Sequence, residues 1–191
     1  IFNRLRNVLF YTLNTNLGEL VTLILALVFI GQSPLLAVQI LWINLIDSVL
    51  LTLPLMMEPK ERGLLSRPPR NAKVRIIDSL FLQRIFIMGL VISVPSFLIY
   101  HYFGSPAVEE GVVVDALLLT QAQTAAFWVI LITQVGYVIS ARSIYDSAFT
   151  FNPFGNGWLL GGIFISILLH TVGTFVPQVA SAFHLVEFPS E

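Results

Sequence analysis

Apolar residues along this chain fall into five long runs separated by short polar or charged stretches: Val8–Ile30, Pro34–Met57, Ile77–Tyr100, Ala116–Ile139 and Trp158–Val176. A helix needs about 20 predominantly apolar residues to cross a bilayer, and a helix satisfies its own backbone hydrogen bonds there. The pattern therefore predicts an all-α, polytopic membrane helix bundle with five transmembrane helices. It forms a single transmembrane domain over residues 1–191, with a basic loop over 58–76. The last stretch, Pro177 to Glu191, holds Phe183, Leu185, Val186 and Phe188 but is too short and broken for a sixth span. Five crossings leave the two termini on opposite sides.

Two acidic residues interrupt this pattern. Glu19 lies inside the first run and Asp47 inside the second. A carboxylate at the centre of a spanning helix costs about 2.5–3.5 kcal/mol on insertion scales, and such groups usually face a bundle interior and mark an ion or proton pathway. No lysine or arginine lies at their depth, so a bound cation or a proton is expected to neutralise them. Residues three and four apart share a helix face. Asn16 therefore joins Glu19, with Thr12 and Thr15 extending the stripe, while Asn44, Asp47 and Ser48 share a face of the second span. The fourth span adds Thr133 and Gln134. Oxygen-only clusters suit hard cations such as calcium, magnesium, sodium or potassium. A lone Asn, Thr or Gln in a span is more often glue between helices than a ligand; the paired carboxylates are what favour function.

The remaining intramembrane features are weaker. His170 in the fifth span could relay protons, though a packed, hydrogen-bonded histidine is the preferred reading. Pro95 is expected to kink the third span. Gly157 and Gly161, four apart, would allow close helix packing.

Composition agrees with the pattern. The chain is 56% hydrophobic and 11% charged, with a mean hydropathy of +0.84, whereas soluble domains carry about 25% charged residues. Its 191 residues leave room for a bundle but not for a large soluble catalytic domain as well. The absence of cysteine excludes disulfides, thiolate metal sites and cysteine nucleophiles. No signal peptide precedes the first span, and the chain opens on Ile1, so a processed or excised segment is expected.

Charge sets the orientation. Arg4 and Arg6 precede the first span; Lys60, Arg62, Arg67, Arg70, Lys73 and Arg75 fill the second loop; Arg84 begins the third span and Arg142 follows the fourth. All fall on one side, which the positive-inside rule makes cytoplasmic. Glu109, Glu110, Asp115, Glu187 and Glu191 lie on the other. The N-terminus is thus expected in the cytoplasm and the C-terminus opposite. Membrane lipid is the expected surroundings, the basic loop can bind its anionic headgroups, and no nucleic-acid partner is expected.

Asn16-Leu17-Gly18-Glu19, Leu41-Trp42-Ile43-Asn44-Leu45 and Arg67-Pro68-Pro69-Arg70, with Ser140-Ala141-Arg142-Ser143 and Trp158-Leu159-Leu160 behind them, together resemble the carboxy-terminal membrane region of type II P-type cation-transporting ATPases. The resemblance implies the fifth to ninth membrane helices of such a pump, with residues 1–7 ending the stalk from the phosphorylation domain. It implies Asn16 and Glu19 as cation ligands of the fifth helix, Asn44, Asp47 and Ser48 as those of the sixth, and Gln134 where calcium pumps place an acid in the eighth. The transported cation would be calcium or another hard cation. ATP and magnesium would act only through domains absent from this chain, and the partners would be the remaining helices and the cytoplasmic phosphorylation domain.

The chain departs from calcium pumps at the sixth helix. There the acid comes one position later, where this chain has Ser48, and the glycine and nearby proline that help unwind the helix are replaced by Val49-Leu50-Leu51. A single calcium, another cation or a lost site are the alternatives this leaves. The phosphorylation and dephosphorylation motifs are absent, so the segment alone is not expected to hydrolyse ATP. Two further readings are a standalone pump-derived membrane module that binds or regulates without transport, and a proton-coupled secondary carrier using Glu19 and Asp47.

Overall fold

The first span is a single helix, α1 (Phe2–Phe29), in a computed structural model that describes residues 2–58, 77–142 and 155–186. Its buried positions Phe10, Tyr11, Asn14, Thr15, Glu19, Thr22 and Ala26 recur at the helical period, so one face of α1 looks inward along its whole length. Ala26 O accepts from both Ile30 N and Gly31 N. Gly31 then takes φ +80°, a left-handed turn that suits glycine and ends the helix.

The second span is not one regular helix. It runs as α2 (Ala37–Asp47), a π-helical turn (Ser48–Thr52) and α3 (Leu53–Met56). Although Val49-Leu50-Leu51 replaces the glycine and nearby proline of calcium pumps, the helix is irregular here, as a π turn. Pro54 accounts for it. Proline has no N–H to give the carbonyl four residues back, and its ring crowds that carbonyl. That carbonyl belongs to Leu50, and the wider π turn accommodates it.

The third span, α4 (Ser79–Gly104), begins at an N-cap in which Asp78 Oδ1 accepts from Phe81 N at 2.8 Å. It runs without interruption through Pro95. A 3₁₀ turn (Ser105–Ala107) leads into a short antiparallel hairpin, β1 (Val108–Glu109) and β2 (Val112–Val113), with Val108 opposite Val113. Glu110 and Gly111 carry φ of 49° and 81° at its tip, the conformation that two-residue hairpin turns favour. The fourth span, α5 (Ala116–Ser140), is capped by Asp115 and is the most enclosed of the five. The fifth, α6 (Gly157–Phe175), is capped by Asn156. A short α7 (Pro177–Phe183) follows, as expected of a segment too short to cross. Phe183 O accepts from Gln39 Nε2 at 3.0 Å, the Phe183 ring lies tilted against Trp42 at 4.7 Å, and Leu185 is buried beside Phe127 and Ile130.

Among the described residues five helical segments are long and apolar enough to cross a membrane, in agreement with the sequence. Their outer faces carry exposed Leu, Ile, Val and Phe throughout. Close approach comes where Gly18 meets Ile92 and Gly89 meets Leu17: a Cβ on Gly18 would lie 2.6 Å from Ile92 Cγ2. Gly157 and Gly161, expected to pack closely, instead have nothing within 4 Å of where a Cβ would stand. The tight position is Gly162, one residue round the helix and on its buried side.

Apolar clusters occupy both ends of the bundle. One joins Phe10, Leu51, Leu55, Phe81 and Val138; others join Ala26, Tyr100 and Ala122, and Ile43, Phe127 and Ile130. Along α1, Glu19 falls between Tyr11 and Ala26; along α2, Asp47 falls between Ile43 and Leu51; along α5, Gln134 falls between Ile130 and Tyr137. The polar residues of three helices thus share one level, between the apolar clusters.

Candidate cation site

Glu19 is the centre of this level. Its Oε2 accepts from Asn44 Nδ2 of α2 at 2.9 Å and its Oε1 accepts from Gln134 Nε2 of α5 at 2.8 Å. Asp47 is buried at the same level, and its Oδ2 accepts from Tyr11 OH of α1 at 3.0 Å. Glu19 and Asp47 are 7% and 5% exposed. Neither is paired with a lysine or arginine among the described residues. Buried carboxylates without a cationic partner are costly, which makes the cluster a place where positive charge is wanted.

The unpaired oxygens point the same way. Asp47 Oδ1, Gln134 Oε1 and Asn14 Oδ1 are buried and have no hydrogen-bond donor among the described residues. Buried acceptors normally have partners. Asn14 belongs to this level through Tyr137, whose OH accepts from Asn14 Nδ2 at 2.7 Å, while Tyr137 stacks on Tyr11 at 5.9 Å between ring centroids.

The six residues singled out in the sequence divide into two groups. Glu19, Asn44, Asp47 and Gln134 come together. Asn16 and Ser48 do not: both side chains are exposed, on the outer faces of α1 and of the π turn. A three-residue step on a helix is a rotation of about −60° and a four-residue step about +40°. With Thr15 and Glu19 buried and facing inward, Asn16 is carried to the rim. Thr12 accepts a hydrogen bond from Thr15 through its carbonyl, and Thr133 bonds only carbonyls of its own helix. Tyr11, Asn14 and Tyr137 were not singled out. The signal was available for Tyr11, which stands at i−8 from Glu19 on the same stripe, and for Tyr137, one turn from Gln134.

His170 is fully buried. Its Nδ1 donates to Ser166 O at 2.7 Å and its ring lies against Trp42 and Phe127. Among the described residues no group of three or more His, Asp or Glu converges, so any cation here would rest on two carboxylates and amide oxygens.

A second polar centre closes the basic end of the bundle. Arg142, after α5, donates through Nε to Glu58 Oε1 at 2.8 Å and pairs with it through its terminal nitrogen. Asn156 Nδ2 donates to Glu58 Oε2 at 2.8 Å and to Pro54 O at 3.0 Å. Arg4 reaches Glu58 O, and Asn7 reaches Arg142 O. Arg6 pairs with Asp78 at 2.6 Å, over the ring of Phe81. The amide of Phe81, then Arg6, holds the Asp78 carboxyl below the usual carboxylate range. The basic loop expected over 58–76, with its Arg67-Pro68-Pro69-Arg70 motif, lies from residue 59 onward outside the described residues.

The family described as cation transporting ATPase, C-terminus, matches residues 32–191. The chain belongs to that family. It is the carboxy-terminal membrane domain of a cation-transporting P-type ATPase, a multi-pass integral membrane segment homologous to calcium ATPases. It is 30% identical to the calcium-transporting ATPase of Bacillus subtilis, over 97% of this chain and 20% of that protein. It is also 30% identical to calcium-transporting ATPase 1 of Bacillus cereus, over 96% of this chain and 21% of the relative. With the probable cation-transporting ATPase F of Mycobacterium tuberculosis it shares 27% identity, over 96% of this chain and 19% of the relative. This cation-transporting ATPase domain therefore spans about a fifth of the length of these relatives.

Proposed function

We propose that the domain supplies part of an intramembrane cation site through which a P-type pump moves a hard cation, calcium by the names of its relatives. The observation that carries the reading is the buried pair Glu19 and Asp47, held by amides of two other helices and a tyrosine, with no basic partner among the described residues. In this reading the two carboxylates supply charge, and Asn44 and Gln134 supply neutral oxygens once their amides turn toward the ion. Asn16 and Ser48, on the outer faces of α1 and the π turn, lie outside this cluster. Both are polar, exposed and flanked by exposed Leu13, Leu20, Leu45 and Val49. Polar groups on an apolar membrane face favour a further helix from the rest of the pump packing there.

Transport follows from having two states with different affinity. Phosphorylation in cytoplasmic domains elsewhere in the parent polypeptide would tilt α1, which carries Glu19, relative to α2 and α5, which hold it. Separating Glu19 from Asn44 and Gln134 changes how many oxygens reach the ion. The basic end, with Arg4, Arg6 and Arg142, would face the cytoplasm by the positive-inside rule. The C-terminus would lie opposite, and loop 58–76 would couple the bundle to the cytoplasmic domains.

The test is cation-stimulated phosphorylation of the full-length polypeptide in membranes, by ATP, in titrations of calcium, magnesium, sodium and potassium. Glu19→Gln is expected to abolish cation dependence while the protein stays folded and membrane-inserted. Unchanged cation dependence in that variant would sink the reading.

A further inference from the structure

Leu50, at the middle of the π turn, presses its backbone against α6. An ideal Cβ on Gly162 would stand 1.8 Å from Leu50 O, 3.0 Å from its carbonyl carbon and 3.3 Å from Pro54 Cγ. A backbone oxygen cannot move aside by changing a rotamer, so the contact requires glycine. The requirement is local, because a Cβ on the neighbouring Gly161 would meet nothing within 4 Å. Pro54 gives the reason for the contact: it stands four residues after Leu50 and denies that carbonyl its α-helical donor. The carbonyl displaced by Pro54 is the one received by Gly162.

The π turn begins at Ser48, directly after Asp47. A π turn holds one residue more than an α turn, and one residue is about 100° of rotation on a helix. Closing the turn into regular α-helix would rotate Asn44 and Asp47 by that amount relative to α3. Asp47 would leave Tyr11 and Asn44 would leave Glu19. α3 cannot absorb the rotation freely, because Leu55 is buried and Pro54 O is held by Asn156.

We infer that Gly162 is a positioning residue for the cation cluster: by seating the Leu50 carbonyl it holds open the π turn that aims Asp47 and Asn44 at Glu19. α6 gives no oxygen to the cluster among the described residues, yet it sets the geometry of the residues that do. The inference rests on the proposed cation site and adds a determinant of affinity outside it.

The experiment titrates cation-stimulated phosphorylation of the full-length polypeptide in membranes, comparing wild type with Gly162→Ala, Gly161→Ala, Pro54→Ala and the Pro54→Ala/Gly162→Ala double variant. Gly162→Ala is expected to raise the half-activating cation concentration by about tenfold, within the range of coupling between sites, and to leave the maximal phosphorylation level close to wild type. Gly161→Ala is expected to titrate like wild type. Pro54→Ala introduces no atom at the α6 contact; it is expected to fold, and to shift the titration in the same direction as Gly162→Ala. The double variant is expected to be no worse than the worse single one, because both act on one turn. If Gly162→Ala fails to fold, the Pro54→Ala titration decides. A responsive wild type with Gly162→Ala and Pro54→Ala both titrating normally would overturn this inference and leave the cation site standing. A wild type with no response to any of the cations would overturn both.

Discussion

Gln134 on α5 donates to Glu19 Oε1 on α1 across 2.8 Å, from positions 115 apart in the chain. Together with Asn44 on α2, it makes one carboxylate the meeting point of three spanning helices. A buried carboxylate is tolerable when donors surround it and a positive charge is at hand. In the proposed cation site this arrangement would tie packing of the bundle to occupancy, since movement between these helices strains bonds to the same side chain.

Gln134→Leu should remove one of the two donors to Glu19 and one amide oxygen at a stroke. A hydrogen bond to a charged group contributes about 1.5–3 kcal/mol. The half-activating cation concentration of the full-length polypeptide is expected to rise by at least about tenfold, the equivalent of 1.4 kcal/mol. A titration of cation-stimulated phosphorylation measures it, and an unchanged midpoint would remove Gln134 from the site.

Tyr11→Phe isolates the second carboxylate. It deletes the donor to Asp47 Oδ2 at 3.0 Å and keeps the stacking against Tyr137. Asp47 would then have no donor among the described residues, since Oδ1 already lacks one. A weakening of cation response by about tenfold is expected, again from the strength of a charge-assisted bond, with little change in the thermal midpoint of the cation-free protein in detergent.

At the basic end, Arg142 and Asn156 both serve Glu58. Removing one partner of a largely buried ion pair leaves the other charge uncompensated and costs about 3–5 kcal/mol. Arg142→Ala is expected to lower the thermal midpoint strongly, Asn156→Ala less so. A double-mutant cycle should show the two effects coupled through Glu58; strict additivity would mean that they act separately.

Asp78 supplies the pH dependence that can be checked outside the membrane span. Its carboxyl is held below the ordinary range by the Phe81 amide first and Arg6 second. A group with a depressed folded pKa stabilises the fold fully above its unfolded value of about 3.9, and that contribution is lost as pH falls through the lower folded value. Stability should therefore decline with acid below about pH 4 more steeply in wild type than in Asp78→Ala. At neutral pH the variant should be less stable by about 1 kcal/mol, the usual worth of an N-cap. Thermal unfolding in detergent across pH 3–7 would test both; parallel curves would exclude Asp78 as the source.

Several of these features were readable in the chain. The spacing of apolar runs is a local property, so all five spans could be counted before any contact was known. Glu19 and Asp47 stood out because charge inside an apolar run needs a reason. Pro54 carries the signal for the π turn, since its missing N–H is a fact of covalent structure. Spacing favoured Asn16, three residues from Glu19, over Asn14, five away; only the direction of the packed face reverses that choice.

What the sequence determined by itself was the architecture along one axis: five apolar lengths, basic residues at one set of loops, and acidic groups midway along the first two spans. Hydrophobic length and charge act on each segment independently, so they need no neighbours to be read. The tertiary structure alone decided which oxygens meet and which glycine is indispensable. Helical periodicity fixes the angles between side chains on one helix, but not the rotation of that helix against the others. Contacts such as Gly18 on Ile92 and Gly162 on Leu50 set that rotation. They bring Asn14 and Tyr11 inward, leave Asn16 and Ser48 at the rim, and bury the carboxylates of two separate spans at one level.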